Sequence, residues 1–358
     1  LEVFGFLAIF ILAAAFTIIP KFKGRKLFSK KLAWESIILV ALGNVLVLFT
    51  MNRFLPLDDI LILGGVLIAF ILVSDVLRKP SGPLALAEPF MRLSILSLLI
   101  ATSLKTYFDL TLLNSSWESF PFLEIALISF PAMMIFGIEA KTLQFRSVRM
   151  KKKLVTLSFF SGAFATVLAL LSALPMGSFA DALFLVIASV LFFLTGVAFI
   201  LGVSAFKNGV LKDNLKRMNQ RDQTRYLYFS RAFRISSVWL VFALLLAVVY
   251  SVYSFDAQVP ALFWIRDAFI HSMAIGFIAS AIAAYSPILL PAVISGRAPY
   301  LGLTNLPLYL VTAGNIWRVG SDIVVSLNLP TSSLFTGYSG VLVIVGMLWF
   351  VMMNHRLK

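Results

Sequence analysis

The sequence predicts an all-α fold, a polytopic bundle of about eleven transmembrane helices, and three observations carry that reading. Of the 358 residues, 60% are hydrophobic and only 13% charged, with a mean hydropathy of +0.97. A soluble domain carries about 25% charged residues, so soluble enzymes, disordered tails and nucleic-acid modules are excluded despite a net charge of +14. The apolar residues fall in long uninterrupted runs, and the basic residues gather in alternate connections between them. The absence of cysteine removes disulfides, thiolate metal sites and iron–sulfur clusters, and only two histidines are present.

A bilayer-crossing helix needs about 17 to 25 apolar residues, and helices of that kind keep every backbone N–H and C=O paired in lipid. Runs of this type cover about 1–19, 32–51, 59–77, 91–113, 119–138, 154–174, 181–206, 235–253, 262–293, 301–319 and 335–353. The ninth is too long for one upright helix, and Pro287 and Pro291 are placed to bend or end it. The whole of 1–358 reads as one integral membrane domain, with 207–234 as its longest basic loop, able to form an interfacial helix.

Lysine and arginine accumulate in short cytoplasmic loops. All of the 30 basic residues except Arg53, Lys105, Arg266 and Arg318 fall between alternate runs, from Lys21 to Lys31, around Arg78 and Arg92, from Lys141 to Lys153, across 207–234, at Arg297 and in the tail. The expectation is a plasma-membrane protein in contact with anionic lipid, its amino terminus outside and its carboxyl terminus cytoplasmic. Asn114-Ser115-Ser116 is a glycosylation acceptor on the outer side of that topology. Trp34, Trp117, Trp264 and Trp317 sit near helix ends, as interfacial anchors do.

Ionisable groups inside lipid face a partner or a cavity. Lys105, Asp109, Glu124, Arg266, Asp267, His271, Arg318 and Asp322 all fall in the outer half, and Glu35, Asp75 and Arg92 near the inner face. The outer groups read as local ion pairs, Lys105 with Asp109, Arg266 with Asp267 and Arg318 with Asp322, forming a polar cluster suited to seating a partner. The i,i+4 spacing of the first and third allows direct contact. His271 reads as a buried neutral imidazole hydrogen-bonded to a neighbouring carboxylate such as that of Asp267, one turn earlier.

Gly5-Phe6 precedes Pro20 and Gly276-Phe277 precedes Pro291 at the same interval, an echo that suggests parallel repeats of four helices. The segment from His271 through Gly276-Phe277 to Tyr285, Ser286, Pro287 and Pro291 resembles a helix of the NnrS-like membrane proteins, distant relatives of the haem-copper oxidase core. The first run, with Gly5-Phe6 and then Ile18-Ile19-Pro20-Lys21-Phe22, is similar to their opening helix. In that family a histidine stands a few residues before Gly-Phe and a second one often follows. Here only His271 keeps that place: the equivalent in the first run would precede Leu1, and Tyr285 or Ser286 takes the later position. The resemblance therefore implies an oxidase-like bundle with degenerate ligands, and His271 as the one tentative cofactor-binding residue. A six-coordinate haem needs two strong axial ligands, so no metal and no cofactor is expected within this chain.

No nucleophile-and-base grouping, phosphate-cradling glycine loop or HExxH helix is present, so autonomous catalysis is not expected. The chain looks like the hydrophobic subunit of the archaeal b-type cytochrome complexes. That resemblance implies an anchor in a respiratory electron-transfer complex, with haem b held by an extracellular cytochrome partner. The alternatives are a secondary transporter, with Glu35, Asp75 and the ninth-helix cluster along its route and Pro131, Pro287, Pro291 and Pro307 breaking its helices, and a haem-binding NnrS-like protein.

Overall fold

In a computed structural model, the described residues are 7–50, 57–78, 86–110, 120–145, 150–174, 178–206, 220–255, 261–293, 305–327, 329 and 333–355. Asn114, the basic stretch 207–219, Arg297, Lys358 and the side chain of His355 lie outside them. The described residues contain no strand and form eleven continuous helices: α1 (Ala8–Lys23), α2 (Lys30–Thr50), α3 (Leu57–Arg78), α4 (Glu88–Leu110), α5 (120–145), α6 (Lys152–Ser172), α7 (Ser178–Gly202), α8 (Gln220–Tyr253), α9 (261–293), α10 (Leu306–Ser326) and α11 (Ser333–His355). Seven of them, α3 to α9, are long and apolar enough to cross a membrane. The outward faces of α2 and α6 carry Trp34 (67% exposed) and Phe160 (64%). Side chains that bulky and open to solvent fit a lipid environment and would be a liability in water.

The helices pack as two compact units, one from Leu1–Ser147 with Val155–Leu191, the other from Val148–Leu154 with Phe192–Lys358. In the first, α2 and α3 approach closely enough that a Cβ on Gly65 would sit 2.7 Å from the Ser36 carbonyl oxygen. Ser36 Oγ donates to Gly65 O at 2.7 Å across the same contact. A small residue and an interhelical hydroxyl bond are the means by which helices associate where lipid removes the hydrophobic drive.

α5 is the core of its unit: 94% of its apolar window is buried, against 44% for α3, α4 and α6. Its middle, Ile125–Ala132, is a π-helix between two α-helical parts, Phe120–Glu124 and Met133–Phe145. Pro131 lies in that stretch and supplies no N–H, and the wide turn accommodates it. Neighbouring helices take up the disturbed polar groups. Ser94 Oγ from α4 donates to Phe130 O at 2.5 Å, and the Ser129 and Thr166 hydroxyls meet at 2.8 Å.

α9 has the same construction, with a π-helix at Ser272–Ala279 between Ala261–His271 and Ser280–Val293. The two wide turns match in register. Ser129-Phe130-Pro131-Ala132 closes the first and Gly276-Phe277-Ile278-Ala279 the second, four helices later. Gly5-Phe6-Leu7-Ala8 offers a third copy four helices earlier, of which Leu7 and Ala8 are described and Leu7 is π-helical. A repeat of period four accounts for all three.

Three expectations need correction. α9 continues through Pro287 and Pro291 to Val293, and its irregularity sits at 272–279 instead. Pro307 does not interrupt a helix; it occupies the opening positions of α10, where a missing N–H costs nothing. Residues 220–234, expected in the basic loop, are the first turns of α8, and Lys141 is a buried residue of α5.

Candidate functional site

Every polar cluster found lies at a helix end. At the end rich in lysine and arginine, Lys23 Nζ of α1 donates to Glu88 Oε2 at 2.6 Å. Arg92 reaches back to the same carboxylate and donates to Leu77 O at 2.6 Å, so α1, α3 and α4 are tied together there. Two cations share one carboxylate.

The opposite ends reverse that ratio. In the first unit, Lys105 of α4 bridges Asp59 Oδ1 of α3 and Asp109 Oδ2, the latter at 2.8 Å. The i,i+4 contact was legible from spacing, whereas Asp59 was missed because it comes from the antiparallel neighbour. In the second unit the start of α9 lies beside the end of α10, and the same design recurs. Arg318 Nη2 donates to Asp267 Oδ2 of α9, and Arg318 Nε lies 3.4 Å from Asp322 Oδ2 one turn on. Each cluster has a cation at i, an aspartate at i+4 and a second aspartate on the facing helix, leaving one carboxylate in excess.

Asp267, expected to pair with Arg266, contacts Arg318 of the facing helix. Adjacent residues on a helix point about 100° apart, and the Arg266 guanidinium lies 5.7 Å from the Phe263 ring centroid while Asp267 turns to Arg318. His271 lies one turn from Asp267, but its Nδ1 is 2.9 Å from the Asp267 backbone carbonyl oxygen and 3.6 Å from Oδ1, so the hydrogen bond goes to the backbone and not to the expected carboxylate. A carbonyl oxygen can only accept, so Nδ1 is the donor in that contact. Asp322 is wholly buried, while Asp267, His271 and Arg318 keep 21%, 22% and 26% of their side-chain surface.

Asp267, His271 and Asp322 each offer one ligand atom, all within 4.8 Å of one another. Two carboxylates and an imidazole can hold a hard or borderline cation or share a proton, and Arg318 offsets one of the two negative charges. Tyr285 and Ser286, at the later position of the family pattern, lie further along α9. Tyr285 is buried edge-on against Phe229, centroids 5.0 Å apart, and Ser286 Oγ donates to Ala283 O.

Below the cluster, Gly276 lets α9 meet the Trp239 indole of α8 and Asn315 of α10. A Cβ there would stand 2.5 Å from Trp239 and 2.8 Å from Asn315 Nδ2. Among the described residues, neither amide atom of Asn315, nor Ser272 Oγ, nor either oxygen of Asp322 has a hydrogen-bond partner. The first unit has a counterpart. Glu124 directly precedes the π-helix of α5 as His271 precedes that of α9. It is fully buried and its Oε1 accepts from Ser189 Oγ at 2.6 Å. Its equivalence with His271 could have been read from the spacing to Ser129-Phe130 and Gly276-Phe277.

The residues named for a transporter route behave differently. Asp75 is exposed on α3, and Glu35 is half-buried with its Oε1 3.7 Å from Lys31 Nζ. No known family model matches the chain, and no characterised protein matches it in sequence.

Proposed function

We propose that the chain is a non-catalytic, multi-pass subunit of a respiratory electron-transfer complex in the plasma membrane, seating an extracellular partner that carries haem b. The observation that carries this reading is the pair of matched charge clusters, Asp59–Lys105–Asp109 and Asp267–Arg318–Asp322. Each ties two helices at the end away from the basic loops and keeps one carboxylate in excess, a fixed anionic point for a docking partner. Topology follows the charge count, with the amino terminus outside.

The test is isolation of the chain with and without co-purifying proteins, followed by visible absorption spectroscopy. The expected result is a Soret band only when a cytochrome accompanies it, and loss of that cytochrome when Asp109 and Asp267, the part-exposed carboxylates of the two clusters, are both changed to Asn. A Soret band in the isolated chain that disappears in His271→Ala would overturn it.

A second reading is favoured by one observation, the convergence of Asp267, His271 and Asp322 next to a π-helix. Wide turns frequently occur at functional sites, and such a site suits cation-coupled transport. Uptake into proteoliposomes that survives His271→Ala and Asp322→Asn would count against it.

A further inference from the structure

A groove of about 510 Å³ runs between α8 and α10 in the second unit. Trp239 and Val319 form its floor, 8% and 2% exposed, and Val238 and Ile316 its rim, 58% and 59% exposed. Along α8 the lining runs from Arg234 to Phe242, and along α10 from Thr312 to Ile323. At 1.5 Å per residue these are about 12 and 17 Å, close to the half-thickness of a bilayer's hydrocarbon core, about 15 Å.

Its polarity is one-sided. The only charged lining residue is Arg234, at the same end as Thr312, whose hydroxyl already donates to Leu308 O at 2.7 Å. Everything beyond is apolar. Arg225 and Arg231 precede Arg234 on the same helix, so the polar mouth lies at the basic end.

Gly320 adds a separate observation. In membrane helices glycine commonly lets two backbones approach, as Gly65 does, but a Cβ on Gly320 would meet nothing within 4 Å. Glycine within a helix costs about 1 kcal/mol against alanine, with no helix contact here to offset it. Its effect is to keep the groove open.

We propose that this groove is a binding site for one chain of an anionic lipid, the phosphate-bearing headgroup held at Arg234 and the hydrocarbon chain lying over Trp239 as far as Phe242 and Ile323. The occupant has to be amphiphilic, anionic at one end and about one leaflet long, and an inner-leaflet lipid meets all three conditions. A neutral isoprenoid quinone meets only the last.

The experiment reads Trp239 fluorescence in the full chain reconstituted into nanodiscs. The probes are brominated-chain phosphatidylglycerol and brominated-chain phosphatidylcholine at equal mole fraction, and the Trp239→Phe chain is subtracted to isolate the one indole. The anionic lipid should show about fivefold higher apparent occupancy, the size expected for one basic side chain near a charged headgroup. Arg234→Gln should abolish the headgroup preference while leaving some quenching. Gly320→Leu, which points into open space and leaves the helix packing intact, should protect Trp239 from both lipids. Equal quenching by both lipids would mean bulk lipid only and would overturn the proposal. So would undiminished quenching in Gly320→Leu, or displacement of the brominated anionic lipid by an equimolar neutral quinone. Far-ultraviolet circular dichroism of each variant separates loss of binding from loss of fold.

Discussion

Replacing Arg318 by Met tests whether the cluster at the end of α10 holds the second unit together. Arg318 Nε lies 3.4 Å from Asp322 Oδ2, and a unit charge pair at that distance is worth about 5 kcal/mol at an effective dielectric of about 20. The guanidinium also donates to Asp267, so its loss leaves two carboxylates of adjoining helices with His271 between them. Relief of the arginine's own desolvation offsets part of this. Removing one partner of a buried pair typically costs about 3 to 5 kcal/mol, and the quarter exposure of Arg318 and Asp267 argues for the lower figure. Arg318→Met should therefore destabilise by about 3 kcal/mol, and adding Asp322→Asn should restore more than half, because the fully buried carboxylate is the most costly to strand. The assay is unfolding in mixed detergent and dodecyl sulfate micelles, followed by circular dichroism through a double-mutant cycle. A coupling energy within about 0.5 kcal/mol of zero would refute the reasoning, since that is what independent sites give.

Lys105→Met should cost a similar amount in the same assay, about 3 kcal/mol, and Asp59→Asn should rescue it better than Asp109→Asn because Asp59 keeps 3% of its side-chain surface and Asp109 25%. Gly65→Val drives a Cβ to within 2.7 Å of the Ser36 carbonyl oxygen and should destabilise by about 1 to 3 kcal/mol, the usual cost of overpacking; an unchanged unfolding midpoint would contradict the close approach of α2 and α3. In the same assay Ser189→Ala leaves the fully buried Glu124 Oε1 without its donor and should cost about 1 to 3 kcal/mol, and Glu124→Gln, which puts an amide N–H2 where Oε2 has no hydrogen-bond partner, should cost a similar amount.

The helical class was legible because lipid leaves a buried backbone few alternatives, so apolar run length alone marks the crossings. Boundaries moved where charge misled. Lys141 and Arg234 read as loop residues, yet both are helical, the first buried in α5 and the second lining an apolar groove. The i,i+4 contacts at Lys105 and Arg318 followed from helix geometry, while the bridges to Asp59 and Asp267 depend on which helices adjoin, and spacing within one helix carries no such information. The π segments share only Gly/Ser-Phe-Xaa-Ala at their ends; the Gly-Phe and Pro echo of Gly5 and Gly276 touches one of them, and Ser129-Phe130 falls outside that echo.

Those wide turns set a rotational phase. A π segment fits more residues into a given rise than an α-helix, so relaxing Ser272–Ala279 to regular α geometry with every residue kept would swing everything before it by about 100° or more about the axis. Asp267 and His271 would then turn away from Arg318 while Tyr285 stayed against Phe229. The surplus backbone acts as an angular spacer, aligning one end of the helix with one set of neighbours and the other end with a different set.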